Sequence, residues 1–92
     1  MANTVTFYRT SGANILIIDD NALVLRNMKV LLDDKYSVSV AASATQAYMA
    51  MEKRKPDVIL LDYEMPEING KDLYIKIKKD EKYKDIPIVF LT

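Results

Sequence analysis

The sequence contains no cysteine and no histidine, and it has only two glycines. The absence of cysteine excludes disulfides and thiolate metal sites. The absence of histidine removes the commonest general base and the commonest ligand of transition metals. Any metal or proton chemistry must therefore rest on carboxylates, which suit hard cations such as Mg²⁺.

The 92 residues also lack an excess of charge of either sign, since thirteen basic residues balance thirteen acidic ones. A neutral chain offers no basic surface that predicts binding to nucleic acid or to an anionic membrane. The apolar runs are far shorter than the roughly 20 residues that span a bilayer. The first residues also lack the charged and apolar regions of a signal peptide. We therefore expect one small cytoplasmic domain with no nucleic acid or membrane partner.

Four apolar segments alternate with helical patterns along the chain. The segments predicted as strands are residues 15–18, 36–41, 58–61 and 86–91, which are short and rich in β-branched residues. Residues 1–13 are polar and turn-like and are interpreted as an N-terminal leader. Residues 78–85 are charged and are expected to lie exposed on the surface.

Three helices are predicted between these strands. The first has Asn21 as its N-cap and Leu25, Met28 and Leu32 on its apolar face. The second begins at a capping box formed by Ser43 and Gln46. The third follows a loop over residues 63–69 and begins at Gly70, with Leu73, Tyr74 and Ile77 expected to face inward.

Alternating strands and helices predict a parallel sheet with helices on both faces. Such sheets bind ligands at the carboxyl ends of their strands. Asp19 and Asp20 follow the first predicted strand, Asp62 follows the third and Thr92 follows the fourth. We therefore expect these side chains to meet at one edge of the sheet.

Carboxylates gathered in one crevice repel each other unless a divalent cation joins them. An aspartate beside such a cation can attack phosphorus and form an aspartyl-phosphate. Each residue also has a simpler interpretation. Asp19 and Asp20 favour a helix N-terminus by themselves, and Asp62 before Met65 and Pro66 is compatible with an ordinary turn. The combination at the ends of three strands favours phosphoryl chemistry.

The chain resembles the receiver domains of two-component response regulators from about Asn14 to Thr92. The run from Ile15 to Asn21 is similar to the first strand and acidic pair of that family, and the run from Pro56 to Pro66 is similar to its third strand and phosphorylation loop. Gly70 stands where the family opens its third helix. The run from Ile86 to Thr92 resembles its fourth strand and switch hydroxyl.

This resemblance implies a flavodoxin-like open parallel sheet of order 2-1-3-4 and a role for each site residue. Asp62 is the implied phosphoacceptor, Asp20 a direct Mg²⁺ ligand, and Asp19 a ligand through water. The backbone carbonyl of Glu64 completes the metal ligands, and Thr92 turns its hydroxyl to the bound phosphoryl group. The implied donor is a sensor histidine kinase, a phosphotransfer protein or a small acyl phosphate, so the domain is a signalling phosphoacceptor and not an enzyme.

The resemblance also makes two predictions that concern Glu64 and the end of the chain. The side chain of Glu64 lies in the family beside the path of the hydrolytic water, so we expect it to change the rate of autodephosphorylation. Residues 14–92 form an incomplete receiver domain, because the fourth helix, the fifth strand with its lysine and the fifth helix are not present. We therefore expect a partly bare sheet face at residues 15–18, an apolar fourth strand at the edge, and a homodimer or higher assembly that covers them.

Two other interpretations stay open. One is a receiver-like interaction module that is not phosphorylated in this shortened form. The other is an Mg²⁺-dependent phosphatase of the haloacid dehalogenase type, which also forms an aspartyl-phosphate. The phosphatase is disfavoured because its nucleophile lies in an Asp-x-Asp motif after the first strand, where this sequence has Asp19-Asp20-Asn21.

Overall fold

The computed structural model describes residues 13–65 and 68–91. The predicted leader, apart from Ala13, and the predicted switch residue Thr92 lie outside this part of the chain. Both therefore stay predictions.

The described chain forms a four-stranded parallel sheet of order β2-β1-β3-β4, as the sequence predicted. The strands are β1 (Asn14–Ile18), β2 (Ser37–Ala41), β3 (Val58–Asp62) and β4 (Ile88–Leu91). The order places β1 and β3 side by side at the centre of the sheet. Their last residues therefore bring the segments that follow them to the same edge.

Three helices, α1 (Ala22–Leu32), α2 (Ala44–Lys53) and α3 (Gly70–Lys78), connect the strands. Each begins at a polar side chain that accepts hydrogen bonds from backbone N–H groups of the first turn, namely Asn21, Ser43 and Asn69. The predicted capping box differs in one bond. Gln46 Oε1 accepts from the N–H of Ala42 instead of that of Ser43.

The helices divide the core between the two faces of the sheet. Leu25, Met28 and Leu32 of α1 pack against Ile15 and Ile17 on one face. The other face carries the larger cluster, which joins β1 and β3 to both α2 and α3; its members include Leu16, Ile18, Met51, Ile59, Leu61, Leu73 and Ile77.

The expectation of a partly bare face at residues 15–18 was wrong. Ile15 is 7% exposed and Ile17 is 0% exposed, because α1 covers them and β2 and β3 flank their strand. Apolar side chains are exposed instead on the outer surface of α1, where Leu23, Val30 and Leu31 are 62%, 74% and 76% exposed.

The segment before β4 also differs from its prediction. Tyr83 lies in the segment expected to be exposed, yet only 5% of it is accessible, because it packs in the core beside Ile86. Lys78 Nζ donates to the carbonyl oxygens of Lys84 and Ile86 and so holds this segment against α3. The strand itself begins at Ile88, two residues later than predicted.

Candidate functional site at the carboxyl end of the sheet

Three aspartates meet at the carboxyl ends of β1 and β3. Each of Asp19, Asp20 and Asp62 offers one carboxylate oxygen, and these three oxygens lie within 4.8 Å of one another. Asp19 is buried, Asp62 is half-buried and Asp20 is exposed. The sequence predicted this meeting, because parallel neighbouring strands end at the same edge of a sheet.

The backbone around the acidic pair fixes the position of Asp19. Its N–H donates to the carbonyl oxygen of Ala41 at 3.0 Å, which extends the β1–β2 pairing by one residue. Its Oδ1 accepts from the N–H of Asn21 at 2.9 Å, just before α1 begins. Asp19 is thus held by the strand and by the start of the helix, while Asp20 between them faces solvent.

The Asp62 carboxylate lies in an environment that opposes its charge. Burial raises its pKa above the ordinary value, and the negative charges of Asp19 and Asp20 raise it further. The N–H of Glu64 approaches Asp62 Oδ1 at 3.4 Å and partly offsets these effects. The protein therefore holds the Asp62 carboxylate beside two like charges, and a bound cation would reduce the repulsion between them.

The loop that follows Asp62 is held against the start of α3 by Gly70. The N–H of Gly70 donates to the carbonyl oxygen of Tyr63 at 2.6 Å. A Cβ atom at Gly70 would overlap the carbonyl oxygen of Asp62 and would lie 2.7 Å from Tyr63 Cα. Because these neighbours are backbone atoms, only glycine fits here without moving the loop.

An aromatic contact borders the site on the side of β4. The ring of Tyr63 meets the ring of Phe90 edge-on, with 5.5 Å between their centroids. A cavity of about 280 Å³ opens beside these residues and is lined by Asp62, Tyr63, Glu64 and Leu91. Asp62 therefore borders an open space large enough for a small anion such as a phosphoryl group.

The chemistry of the donor set fits a hard divalent cation. All three clustered groups are carboxylates, and the chain has no cysteine or histidine that would favour a softer metal. Asp20 is exposed, so a cation reaches it directly from solvent. Mg²⁺ typically binds to one or two carboxylates and keeps several waters, which suits a site open on one side.

Sequence reasoning placed the aspartates correctly but did not find two features of the site. Gly70 was recognised as the start of a helix, although its close contact with the backbone of Asp62 and Tyr63 was not foreseen. The sequence did contain a signal for this contact, because Gly70 lies in the first turn of a helix. Glycine weakens a helix, so its presence there indicates a position with no room for a side chain. The Tyr63–Phe90 contact joins residues far apart in sequence, and no local pattern announces it.

No helix in the described residues is both long and apolar enough to cross a membrane. The described chain is thus an open α/β sheet with an acidic cluster at the carboxyl ends of its central strands.

Comparison with known proteins places the chain in a family of this architecture. Residues 15–92 match the sequence profile of the response regulator receiver domain. The chain is 40% identical over 82 residues to the phosphate regulon transcriptional regulatory protein PhoB of Pseudomonas aeruginosa, a match that covers 88% of this chain and 36% of PhoB. The chain thus spans about a third of the length of that relative.

Solved structures show the same fold. The N-terminal domain of a response regulator receiver protein from Methanoculleus marisnigri superimposes with a TM-score of 0.84 at 30% identity, covering 89% of this chain and 68% of that one. The chemotaxis protein CheY4 of Vibrio cholerae superimposes with a TM-score of 0.78 at 29% identity, covering 85% and 66%. The chain belongs to the response regulator receiver family, whose members are signalling modules.

Proposed function

We propose that this chain accepts a phosphoryl group on Asp62 and so acts as the receiver of a two-component phosphorelay. The observation that carries the proposal is the meeting of the Asp19, Asp20 and Asp62 oxygens within 4.8 Å. Membership in the receiver family supports the same role. Capping alone does not account for the cluster, because Asp62 ends a strand and precedes a loop.

The residues divide the chemistry between them. A carboxylate oxygen of Asp62 attacks the phosphorus atom, and the bond between phosphorus and the donor atom breaks as the new one forms. Asp20 is the proposed direct ligand of Mg²⁺ and Asp19 a ligand through water, and the backbone carbonyl of Glu64 is proposed to complete the protein ligands. When bound, Mg²⁺ neutralises charge on the carboxylates and on the transferred phosphoryl group.

The proposed donor is a phosphohistidine of a sensor histidine kinase or of a phosphotransfer protein, in the cytoplasm. The Thr92 hydroxyl is proposed to turn toward the phosphoryl group and to begin the change of conformation. This part of the proposal rests on the family resemblance, since Thr92 lies outside the described residues.

Intact-mass spectrometry after incubation with acetyl phosphate and Mg²⁺ tests the proposal. We expect one phosphoryl adduct, which is lost in Asp62→Ala and on chelation of Mg²⁺. Asp57→Ala is the matched control, because Asp57 lies beside the other end of the same strand and accepts a backbone hydrogen bond there. We expect that variant to keep the adduct.

Two other results would each point to a different function. No adduct in a folded sample would favour an interaction module that is not phosphorylated. An adduct that persists in Asp62→Ala and disappears in Asp19→Ala would favour the phosphatase interpretation, with the nucleophile after β1. The homodimer predicted from the sequence is tested separately, by sedimentation, and stays a prediction.

A further inference from the structure

The outer edge of β2 carries backbone groups that the described chain leaves unpaired. Within residues 13–65 and 68–91, β2 pairs with β1 alone. The N–H of Ser37 donates to Ala13, and the carbonyl oxygen of Ala41 accepts from Asp19, so the residues at both ends of β2 turn toward β1. Backbone groups alternate in direction along a strand. Those of Val38 and Val40 therefore point outward, away from the sheet.

Open grooves flank this edge on both faces of the sheet. On the α1 face, a groove of about 420 Å³ is lined by Leu25, Val30 and Val40 together with charged residues of α1. On the α2 face, a groove of about 890 Å³ lies beside Ser39, Val40 and Met49. Val30, Val40 and Met49 are 74%, 40% and 64% exposed. Exposed apolar side chains, interspersed with charged ones from both helices, thus border a row of hydrogen-bonding groups.

The strand itself carries no residue of the kinds that commonly prevent edges from pairing. Its sequence is Ser-Val-Ser-Val-Ala, without a charged residue, a proline or a glycine. The chain as a whole has a formal net charge of zero, so long-range repulsion does not oppose contact between two copies. Both facts favour association at this edge.

We propose that the β2 edge is a self-association surface, at which two copies of this chain pair their β2 strands antiparallel about a two-fold axis through Ser39. The outward residues lie symmetrically about that axis, so Val38 of each copy faces Val40 of the other. In an antiparallel ladder such a pair exchanges both of its hydrogen bonds. The result is one continuous sheet across both copies, with an isologous interface.

The charges of α1 select the antiparallel arrangement. The groove beside Val40 is lined by Arg26 in the middle of the helix, by Lys29 in its last turn and by Asp33 at its C-cap, and Lys29 Nζ pairs with Asp33 Oδ1 within the chain at 3.2 Å. A two-fold axis perpendicular to the sheet places the α1 helices of the two copies antiparallel on the same face. Arg26 of one copy then lies toward the C-terminal end of α1 in the other copy. There it would add a second cation to the Lys29–Asp33 pair, at the negative end of the helix, where a cation is favourable.

This surface differs from those that the sequence suggested for an assembly. The interface lies at the β2 side of the sheet, whereas the sequence pointed to the face of β1 and to the β4 edge. The proposal also leaves the acidic cluster accessible, because Asp20 and Asp62 follow β1 and β3 and β2 is not part of that cluster.

Sedimentation equilibrium of the full chain over a range of concentrations provides the first test. We expect a monomer–dimer equilibrium. Val40→Lys should raise the dimer dissociation constant at least about tenfold, which corresponds to about 1.4 kcal/mol, because it places a charge at the paired edge. Val89→Lys is the matched control, since Val89 is an exposed valine on β4, the edge strand at the other side of the described sheet. We expect it to leave the equilibrium unchanged.

A crosslinking test works with the edge backbone unaltered. The chain has no cysteine, so Ser39→Cys introduces a single thiol. Residues opposite each other without direct hydrogen bonds have Cα atoms about 4.5 Å apart, which lies within the range of a disulfide. Mild oxidation should therefore link Ser39→Cys into dimers, whereas Thr45→Cys, an exposed position on α2, should stay monomeric.

Three results would overturn the proposal. One is a monomer at every concentration tested. Another is a dimer that Val89→Lys dissociates and Val40→Lys does not, which would place the interface at β4. The third is an equal disulfide yield from Ser39→Cys and Thr45→Cys. Circular dichroism of each variant shows whether it is folded, so that unfolding is excluded as the cause of a lost dimer. In case Val40→Lys does not fold, the Ser39→Cys crosslink alone tests the proposal.

Discussion

Two aspartates at opposite ends of β3 differ in what surrounds them. Asp57, just before the strand, accepts a hydrogen bond from the N–H of Asn14 at 2.6 Å and donates its own N–H to the carbonyl oxygen of Asn14 at 2.8 Å. Asp62, the last residue of the strand, faces Asp19 and Asp20, and its pKa is raised. A carboxylate that accepts a backbone hydrogen bond away from other charges stabilises the fold, whereas one held among like charges is suited to bind a cation.

The same comparison distinguishes the two ends of the sheet. At the amino end, polar groups join strands and loops, as in the Asn14–Asp57 pair and in the hydrogen bond from Arg54 to Ser37 Oγ. At the carboxyl end, backbone contacts position the loops while the carboxylates themselves remain directed at one another. The carboxylates at the two ends therefore have different roles, and substitutions should separate them.

The largest effect on stability is expected at Gly70. Gly70→Ala should lower the free energy of unfolding by about 3 kcal/mol, because the added Cβ overlaps backbone atoms of Asp62 and Tyr63. In an open helical position the same change would stabilise the protein by roughly 0.5–1 kcal/mol. Urea denaturation measures the difference. Lys71→Ala, an exposed neighbour in the same helical turn, is the control, and a stabilised Gly70→Ala would contradict the close contact.

A smaller loss of stability is expected at Asp57. Asp57→Ala removes the acceptor of the Asn14 N–H and should lower the free energy of unfolding by about 1.5 kcal/mol. Because this residue lies at the amino end of β3, the shift of the melting temperature on addition of Mg²⁺ should equal that of the unaltered chain. Thermal denaturation with and without Mg²⁺ measures both quantities. A lost Mg²⁺ response would show that the two ends of the sheet are coupled.

Asp62→Asn should change stability in the opposite direction. With one of three repelling carboxylates removed, the metal-free protein should gain about 1 kcal/mol, or roughly 4–8 °C in melting temperature. The variant should also lose most of the stabilisation by Mg²⁺, which in the unaltered chain grows with the ratio of metal concentration to Kd. A destabilised variant would mean that Asp62 is satisfied in the fold as Asp57 is.

The gain from Asp62→Asn should depend on pH. The folded state raises the pKa of Asp62 above the ordinary value of 3.8, so folding is opposed where this group is charged in the unfolded chain. The cost is therefore complete above the raised pKa and disappears as the pH falls below 3.8. Melting temperatures of the two proteins should differ near pH 7 and converge near pH 3. A difference that stays constant with pH would show that charge is not its cause.

The fold and the acidic cluster followed from short-range patterns in the sequence. Short apolar runs such as Ile15–Ile18 predicted the strands, and the capping residues Asn21 and Ser43 predicted where helices begin. The order of the strands in the sheet then brings the aspartates together. Contacts between residues far apart in the sequence could not be predicted from such local patterns. Tyr83 was predicted to be exposed because charged residues surround it in sequence, yet it is buried in the core, and its ring centroid lies 6.4 Å from that of Tyr48.

Glu64 provides the test with the smallest expected effect on stability. Its backbone N–H approaches Asp62 Oδ1, while its side chain is exposed and its residue lines the cavity beside Asp62. We propose that a negative charge there repels or redirects the water that hydrolyses an aspartyl-phosphate on Asp62. Glu64→Ala should therefore change the lifetime of the phosphoryl group, within about tenfold or 1.4 kcal/mol, and leave the free energy of unfolding nearly unchanged.

The decay of the phosphoryl adduct after removal of acetyl phosphate measures this lifetime. Glu64→Gln keeps the size of the side chain and removes its charge, so it separates electrostatic from steric effects. Glu81→Ala removes an exposed carboxylate that pairs with Lys84, away from the acidic cluster, and should not change the decay. Equal lifetimes in Glu64→Ala and the unaltered chain would show that the hydrolytic water does not pass this side chain. Phosphoryl lifetime would then depend on the clustered aspartates and on residues outside the described part of the chain.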